Sequence, residues 1–538
     1  MQIKSFVNIA KLNQIFFYLF FAIFFIVYFL LLFAANTDLS AGKYVLFMDE
    51  LLTFEGAEKI YHSTNLQEFY LNVVDGKDHR YGRIMWNLYA LTSYIPYLIF
   101  GESGQIIATR FTQDLILFAA YLILVWSFLK SFYLRIAAFA ILLCLPSTPY
   151  YSSMPKPEPI QLLFLALFLM FVLRDGFQKS RKWIFLGIAF GAKISILPYV
   201  LCLFLLNLLN FSFPQEIKNA VKNSAKNFGF FFLGLIIAVP VFLRGHVAIY
   251  IKSTFKNTGH GSDDASINVI SWIKFLHDDY FYPIFWLIIL IVAMLAIYYC
   301  YKFSKIRNLN FLKDEKLSLL LVGSFSLFLP IILKTHRLWG FYLHIAAALL
   351  FLALFVMIEE TIKFGTGQLQ NKIKAQFLAL FYSILLFVVF VNFSIHSFNK
   401  YLELARRTDT AGYQEQKREH DFLKKFLLQT HQDKDRVISV LMDLSLFTIN
   451  SSDDYKIAPI FSPMRQWDEN YDVVIIYKNS LDFESIKETN EQYNEYLQAR
   501  KTYLEHVILG GKKCLQELCY VEYTGHSLDK VKIFMKQK

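Results

Sequence analysis

The chain has 538 residues, 56% of them hydrophobic and 18% charged, with a formal net charge of +11. Mean hydropathy is +0.39, which excludes an ordinary soluble globular protein and points to a polytopic α-helical membrane protein with a soluble part. Much of the positive charge lies in short connections between apolar runs, and no basic run is interleaved with aromatics, so no nucleic-acid partner is expected.

The first apolar run, residues 14–35, has spanning length and no small-residue cleavage site, so it reads as an anchor. After it comes a long first loop, 36–105, in which residues 44–56 read "YVLFMDELLTFEG". Asp49 and Glu50 begin a stretch of amphipathic spacing there. A carboxylate on a helix lying at the membrane surface meets a low dielectric, which suits a general base; a solvated flank is the plain alternative. "DGKDHRYGR" then places His79, Arg80 and Arg83 before "IMWNLYALTSYIPYLIF", residues 84–100. Those guanidinium groups suit a phosphate at headgroup level, or simple attraction to anionic lipid. With Asn87, Thr92, Ser93 and a central Pro96, residues 84–100 read as a helix lying in the interface rather than crossing.

Further spanning runs fall at 106–129, 133–149 and 159–173. Between the last two, "PSTPYYSSMPKPEP" surrounds Lys156 and Glu158 with prolines, so the backbone holds both charges stiffly. Glu158 stands at the mouth of the next helix, as a functional carboxylate or as an acid favouring the helix dipole. Residues 183–212 are too long for one pass and are broken at Gly191, Lys193 and Pro198, which predicts two short passes with Lys193 at membrane depth. A charge there needs a watery or anionic surrounding.

Runs at 227–243, 283–301, 317–333, 340–358 and 376–395 bring the expected total to about eleven passes. Lysine and arginine gather at residue 4, in 130–135, 174–182, 218–226, 302–316 and 363–374, which puts the N-terminus and these connections in the cytoplasm. The long connection 244–282 then faces out, with His260 between glycines and Asp263 and Asp264 close by. It reads as a lid or acceptor loop; a divalent metal is the alternative, but the spacing is no recognised ligand set and does not support one. Lys334, His336 and Arg337 form one more outer cation cluster, beside Trp339 and Tyr342.

From 396 to 538 the chain changes character. A charged helical stretch precedes "RVISVLMD", "KIAPIF" and "DVVIIYK", which read as strands, and "ESIKETNEQYNEYLQARKTYLEHV" reads as a helix. A small outward-facing α/β domain follows from that pattern. Cys514 and Cys519, in "CLQELC", are either a local disulfide or two free thiols.

An acidic "DE" in the first outer loop, an interfacial helix, a second one ending in "LIFGESGQIIATRFTQ", the acid of the proline-rich "KPEP" and "GIAFGAKISILP" occur in that order. This order resembles the GT-C integral-membrane glycosyltransferases, such as the protein O-mannosyltransferases and the lipid A aminoarabinose transferases. The resemblance implies a polyprenyl-phosphate sugar donor, a lipid, glycan or protein acceptor at the outer face of a bacterial inner membrane, and inverting transfer. It implies Asp49 as general base with Glu50 beside it and Glu158 as the second acid. Arg80, Arg83, Lys156, Lys193, His336 and Arg337 would attend the donor phosphate. A transporter or flippase of a lipid-linked saccharide, or an O-antigen-type polymerase or ligase, are the alternatives; a transporter would not need Asp49.

Overall fold

The computed structural model describes residues 2–37, 48–74, 83–208, 217–244, 269–306, 316–334, 340–364, 369–406, 411–434, 437–442, 454–459, 471–477, 520–524 and 531–536. Two compact units emerge. The larger holds Met1–Leu39, Leu52–Asn257 and Ile267–Arg406; the smaller holds Ser40–Leu51, Thr258–Ser266 and Arg407–Lys538.

The larger unit is helical. Its elements in chain order are α1 (Gln2–Thr37), α2 (Met48–Tyr61, whose first four residues belong to the smaller unit), α3 (Leu66–Val74), α4 (Ile84–Phe128), α5 (Phe132–Leu143), α6 (Thr148–Ser153), α7 (Glu158–Asp175), α8 (Trp183–Ala192), α9 (Leu197–Leu208) and α10 (Ile217–Ala238). There follow α11 (Val269–Phe275), α12 (Phe285–Ile306), α13 (Lys316–Lys334), α14 (His344–Phe364) and α15 (Leu369–Ala405). Among the described residues, five segments are long and apolar enough to cross a membrane: Gln14–Thr37, Ile84–Phe128, Phe285–Lys302, His344–Lys363 and Leu380–Ala405. Shorter apolar helices include Phe132–Leu143, Ile194–Leu208 and Lys316–Ile332. This is an integral membrane protein.

Gly101, with φ +62°, divides α4 into two helices. Only glycine takes that backbone region without cost, so the chain turns there. The first half, 84–100, keeps Leu91, Ile95, Leu98, Ile99 and Phe100 exposed, an apolar face suited to lipid. The stretch 183–212 also divides at Lys193 as its sequence predicts: α8 ends, a 3-10 turn covers Ile194–Ile196, and α9 begins. The helices α8 and α10 approach until backbone touches backbone, because a Cβ at Gly187 would strike the Phe231 carbonyl and one at Gly234 that of Ile184. The first and last bundle helices are pinned together where the Tyr28 and Tyr401 hydroxyls meet at 2.9 Å.

The smaller unit carries α16 (Ala411–Lys434) and strands β1 (Ile438–Met442), β2 (Tyr455–Pro459), β3 (Val473–Tyr477), β4 (Tyr520–Glu522) and β5 (Val531–Lys536). The sheet order is β2-β1-β3-β5-β4. The pairs β1–β2 and β1–β3 are parallel, while β3–β5 and β4–β5 are antiparallel. The three parallel strands are the three read from the sequence; β4 and β5 were not foreseen. The Asp472 carboxylate ties β3 to β1, accepting from the Ser439 amide at 2.9 Å. Leu423, Phe426 and Leu427 of α16 bury one face against this sheet. The helix expected at 484–507, and Cys514 and Cys519, lie outside the described residues.

Candidate active site

The polar centre of the helical unit is built around α7. Glu158 is its first residue, set between Pro157 and Pro159, whose fixed φ suits a helix start. Across from it Lys193 ends α8 in an extended conformation, φ −157° and ψ 132°. The two side chains form an ion pair and are only 5% and 13% exposed. Lys193 Nζ also lies 5.2 Å from the centroid of the Tyr342 ring, in cation–π range. Lys193, expected to need a watery or anionic surrounding, therefore finds its anion within the protein. The Glu158 Oε2 atom is buried with no hydrogen-bond partner among the described residues.

Breaking a helix frees carbonyls that must be satisfied. Gln161, on the same α7, supplies the donors: its amide nitrogen bonds the Ala189 carbonyl at 3.2 Å and the Lys193 carbonyl. Its own carbonyl accepts from Ser195 Oγ at 3.1 Å. One glutamine thus holds the break open at the position that carries the cation.

A second glutamine holds the proline-rich segment. Gln113, fully buried on α4, donates to the Tyr151 and Met154 carbonyls, each at 3.0 Å. Its oxygen accepts from the Tyr89 hydroxyl and from the Lys156 amide at 3.3 Å. Tyr89 belongs to the first half of α4 and Gln113 to the second, so the clamp spans the Gly101 bend. Lys156 itself is buried, at 6% exposure.

His344, at the start of α14, fixes the near end of the same segment. Its Nδ1 is hydrogen-bonded to Ser147 Oγ at 2.7 Å and its Nε2 to the Tyr121 hydroxyl at 2.8 Å. Tyr280 reaches Ser147 at 3.0 Å, and the Tyr151 ring meets the imidazole edge-on at 4.6 Å. On α4 as well, the Asp114 carboxylate accepts from the Asn36 amide at 2.5 Å, and Arg110 lies fully buried one turn before Asp114.

The other expected site residues are either seen in different contacts or fall outside the described residues. Arg83 is buried, donates to the Asn72 carbonyl and stacks 4.6 Å over Trp86. Asp49 and Glu50 fall in the first turn of α2, with their side chains outside the description. Arg80, His260, Asp263, His336 and Arg337 lie outside the described residues. No group of three or more His, Cys, Asp or Glu among the described residues is placed to hold a metal.

No protein-family model and no curated protein matches the sequence. Solved structures do match. ArnT from Cupriavidus metallidurans in the apo state gives a TM-score of 0.51 at 13% identity, over 98% of this chain and 98% of that one. The same protein bound to undecaprenyl phosphate gives 0.50 at 11% identity, over 96% and 97%. This chain has the GT-C fold. The likeness covers both units. The structure adds that Glu158 of the proline-rich segment and Lys193 of the helix break meet as an ion pair. Gln113, Gln161 and His344 went unremarked in the sequence. The signal was present in "ATRFTQD", a run of polar and charged residues inside a membrane-length helix.

Proposed function

We propose that this protein transfers a sugar from a polyprenyl-phosphate donor to an acceptor hydroxyl or amine at the outer face of a bacterial inner membrane. The observation that carries the reading is the full-length likeness to a structure bound to undecaprenyl phosphate, in a chain whose buried centre holds Lys193 against Glu158. The leaving group is a lipid phosphate, whose charge needs a cation held in a low-dielectric site. Lys193 is that cation, and Glu158 keeps it charged and aimed. Asp49 takes the proton of the acceptor as the acceptor atom bonds to the anomeric carbon. The carbon–oxygen bond to phosphate breaks on the opposite face, the electron pair leaves with the phosphate, and the configuration inverts. Glu50, Arg80, Lys156, His336 and Arg337 are assigned supporting roles around the donor, and His260 and Asp263 a lid over the acceptor. The N-terminus is placed inside and the residues after 395 outside.

Purified protein in lipid nanodiscs, supplied with a radiolabelled polyprenyl-phosphate sugar and membrane extract as acceptor, is expected to release polyprenyl phosphate and label a product. Asp49→Asn should abolish transfer while leaving donor binding. Wild-type transfer by that variant would remove the base assignment. Donor binding with translocation but no transfer to any acceptor would replace the reading with a lipid-linked-saccharide transporter.

A further inference from the structure

Away from the Glu158–Lys193 pair, at the opposite end of α8, buried polar groups gather with no use in the proposed reaction. The ten residues of α8 put this end roughly 15 Å from Lys193. Lys182 is 4% exposed and Trp183 fully buried, and among the described residues neither Lys182 Nζ nor Trp183 Nε1 has a hydrogen-bond partner. The neighbouring turns of α9 and α10 bring more polarity. Trp183 packs on Phe204 of α9 with ring centroids 4.3 Å apart, and one turn later Asn207 accepts from Asn227 of α10 at 3.2 Å. The Asn227 Oδ1 and the Ser224 hydroxyl are buried without partners among the described residues as well. Such orphaned groups are costly, and each calls for a partner.

The available atoms select the partner's charge. Apart from the Asn227 Oδ1 acceptor, the orphaned groups are an ammonium and an indole N–H, which only donate, and a hydroxyl, which can donate; these three favour an anion with several acceptor oxygens. The surrounding charge agrees. Arg181 adjoins Lys182, and the first turns of α10 carry Lys218, Lys222 and Lys226. Among the described residues Asp175 is the carboxylate nearby, and it is already bridged by Arg174 at 3.3 Å and Lys179 at 3.1 Å. The adjoining surface is apolar: Val221, Phe228 and Phe232 of α10 are 64%, 57% and 41% exposed. A free ion would have no use for that surface, whereas a lipid would lay its chains on it.

We propose that Lys182, Trp183 and Ser224 form a binding site for the phosphate of an anionic bilayer lipid, on the side of the bundle opposite the transfer site. The lipid phosphate supplies acceptors to the three orphaned donors, and its acyl chains cover Phe228 and Phe232. By the lysine distribution this is the cytoplasmic leaflet.

Native mass spectrometry of the full-length protein, delipidated in detergent and titrated with phosphatidylglycerol or phosphatidylcholine, tests the site. One phosphatidylglycerol should be retained in preference to phosphatidylcholine. Lys182→Met should weaken that retention roughly tenfold, the loss expected for a charge-assisted hydrogen bond, while Lys182→Arg and the neighbouring Arg181→Ala keep most of it. Equal retention of the two lipids, or unchanged retention in Lys182→Met, overturns the proposal. Millimolar inorganic phosphate that displaces the lipid and binds by itself overturns the lipid source. Should Lys182→Met fail to fold, Trp183→Phe removes the indole donor alone, and retention equal to wild type in that variant overturns the proposal.

Discussion

Lys193 and Glu158 are 35 residues apart in the chain and meet as a buried ion pair. Each comes from the end of a helix, and each end is fixed by something other than the pair: prolines at Glu158 and the Gln161 amide at Lys193. The charges are thus held in place before any substrate arrives, which is the condition for electrostatic stabilisation of a leaving phosphate. Removing one partner leaves the other charge buried and uncompensated, at a cost of about 3–5 kcal/mol. Glu158→Gln and Lys193→Met should each lower the unfolding midpoint strongly, and the double Glu158→Gln/Lys193→Met should be more stable than the sum of the singles predicts. Thermal unfolding of the four proteins in one detergent measures the coupling; strict additivity would mean the pair contributes nothing. Transfer activity should be lost in all three variants, since the double restores stability without restoring the cation.

Gln113 is the next test, because it uses both ends of its amide. Gln113→Leu strands the Tyr151 and Met154 carbonyls and the Tyr89 hydroxyl in a buried site, at about 1–3 kcal/mol for each group left unsatisfied. Tyr89→Phe removes a single hydroxyl and should cost about 1 kcal/mol. The expected kinetic consequence is a fall of about a hundredfold in kcat for Gln113→Leu, because the segment carrying Lys156 and Glu158 is no longer held in register. Initial rates and unfolding midpoints measured together decide it. A stability loss without any rate loss would make Gln113 a packing residue only.

How much of this was legible in the sequence follows from the length scale of each signal. The break at Lys193 was legible because glycine, lysine and proline interrupt an apolar run locally. The three parallel strands were legible because buried parallel strands are short apolar runs. The strands β4 and β5 were not: "YVE" is three residues long, and "VKIFMK" carries lysines at two of six positions. The meeting of Glu158 with Lys193 was not legible either. Sidedness could place both near the outer face, but pairing depends on how α7 packs on α8. The Gln113 and Gln161 clamps were hidden for a related reason, since a buried amide has no meaning until the carbonyls it serves are known.

The contact of α8 with α10 gives a prediction with an internal control. Gly234 and Gly229 lie on the same helix, yet a Cβ at Gly234 would strike the Ile184 carbonyl while one at Gly229 would meet nothing within 4 Å. Gly234→Ala should therefore force the helices apart and lower the yield of folded protein. Gly229→Ala should be neutral or stabilise by about 0.5–1 kcal/mol, the usual gain of replacing a glycine inside a helix. Fluorescence-detected gel filtration of the two variants reads the difference, and equal behaviour would mean that the close approach is not needed.

Lys182 predicts how stability changes with pH. Burial pushes its ammonium down to about 8 from an ordinary 10.5, with Asp175 opposing and Lys179 adding to the shift. The folded state therefore holds this proton less tightly than the unfolded chain. Below pH 8 both states carry the proton and the buried charge destabilises the fold. Between about 8 and 10.5 the folded protein releases the proton first, so stability rises with pH across that window. Lipid-free protein in a non-ionic detergent should show a climbing unfolding midpoint from pH 8 to 10. Lys182→Met should flatten that climb and raise the midpoint at pH 7. Phosphatidylglycerol should flatten it as well, because a bound phosphate holds the ammonium protonated. A climb that persists unchanged in Lys182→Met would assign it to another group.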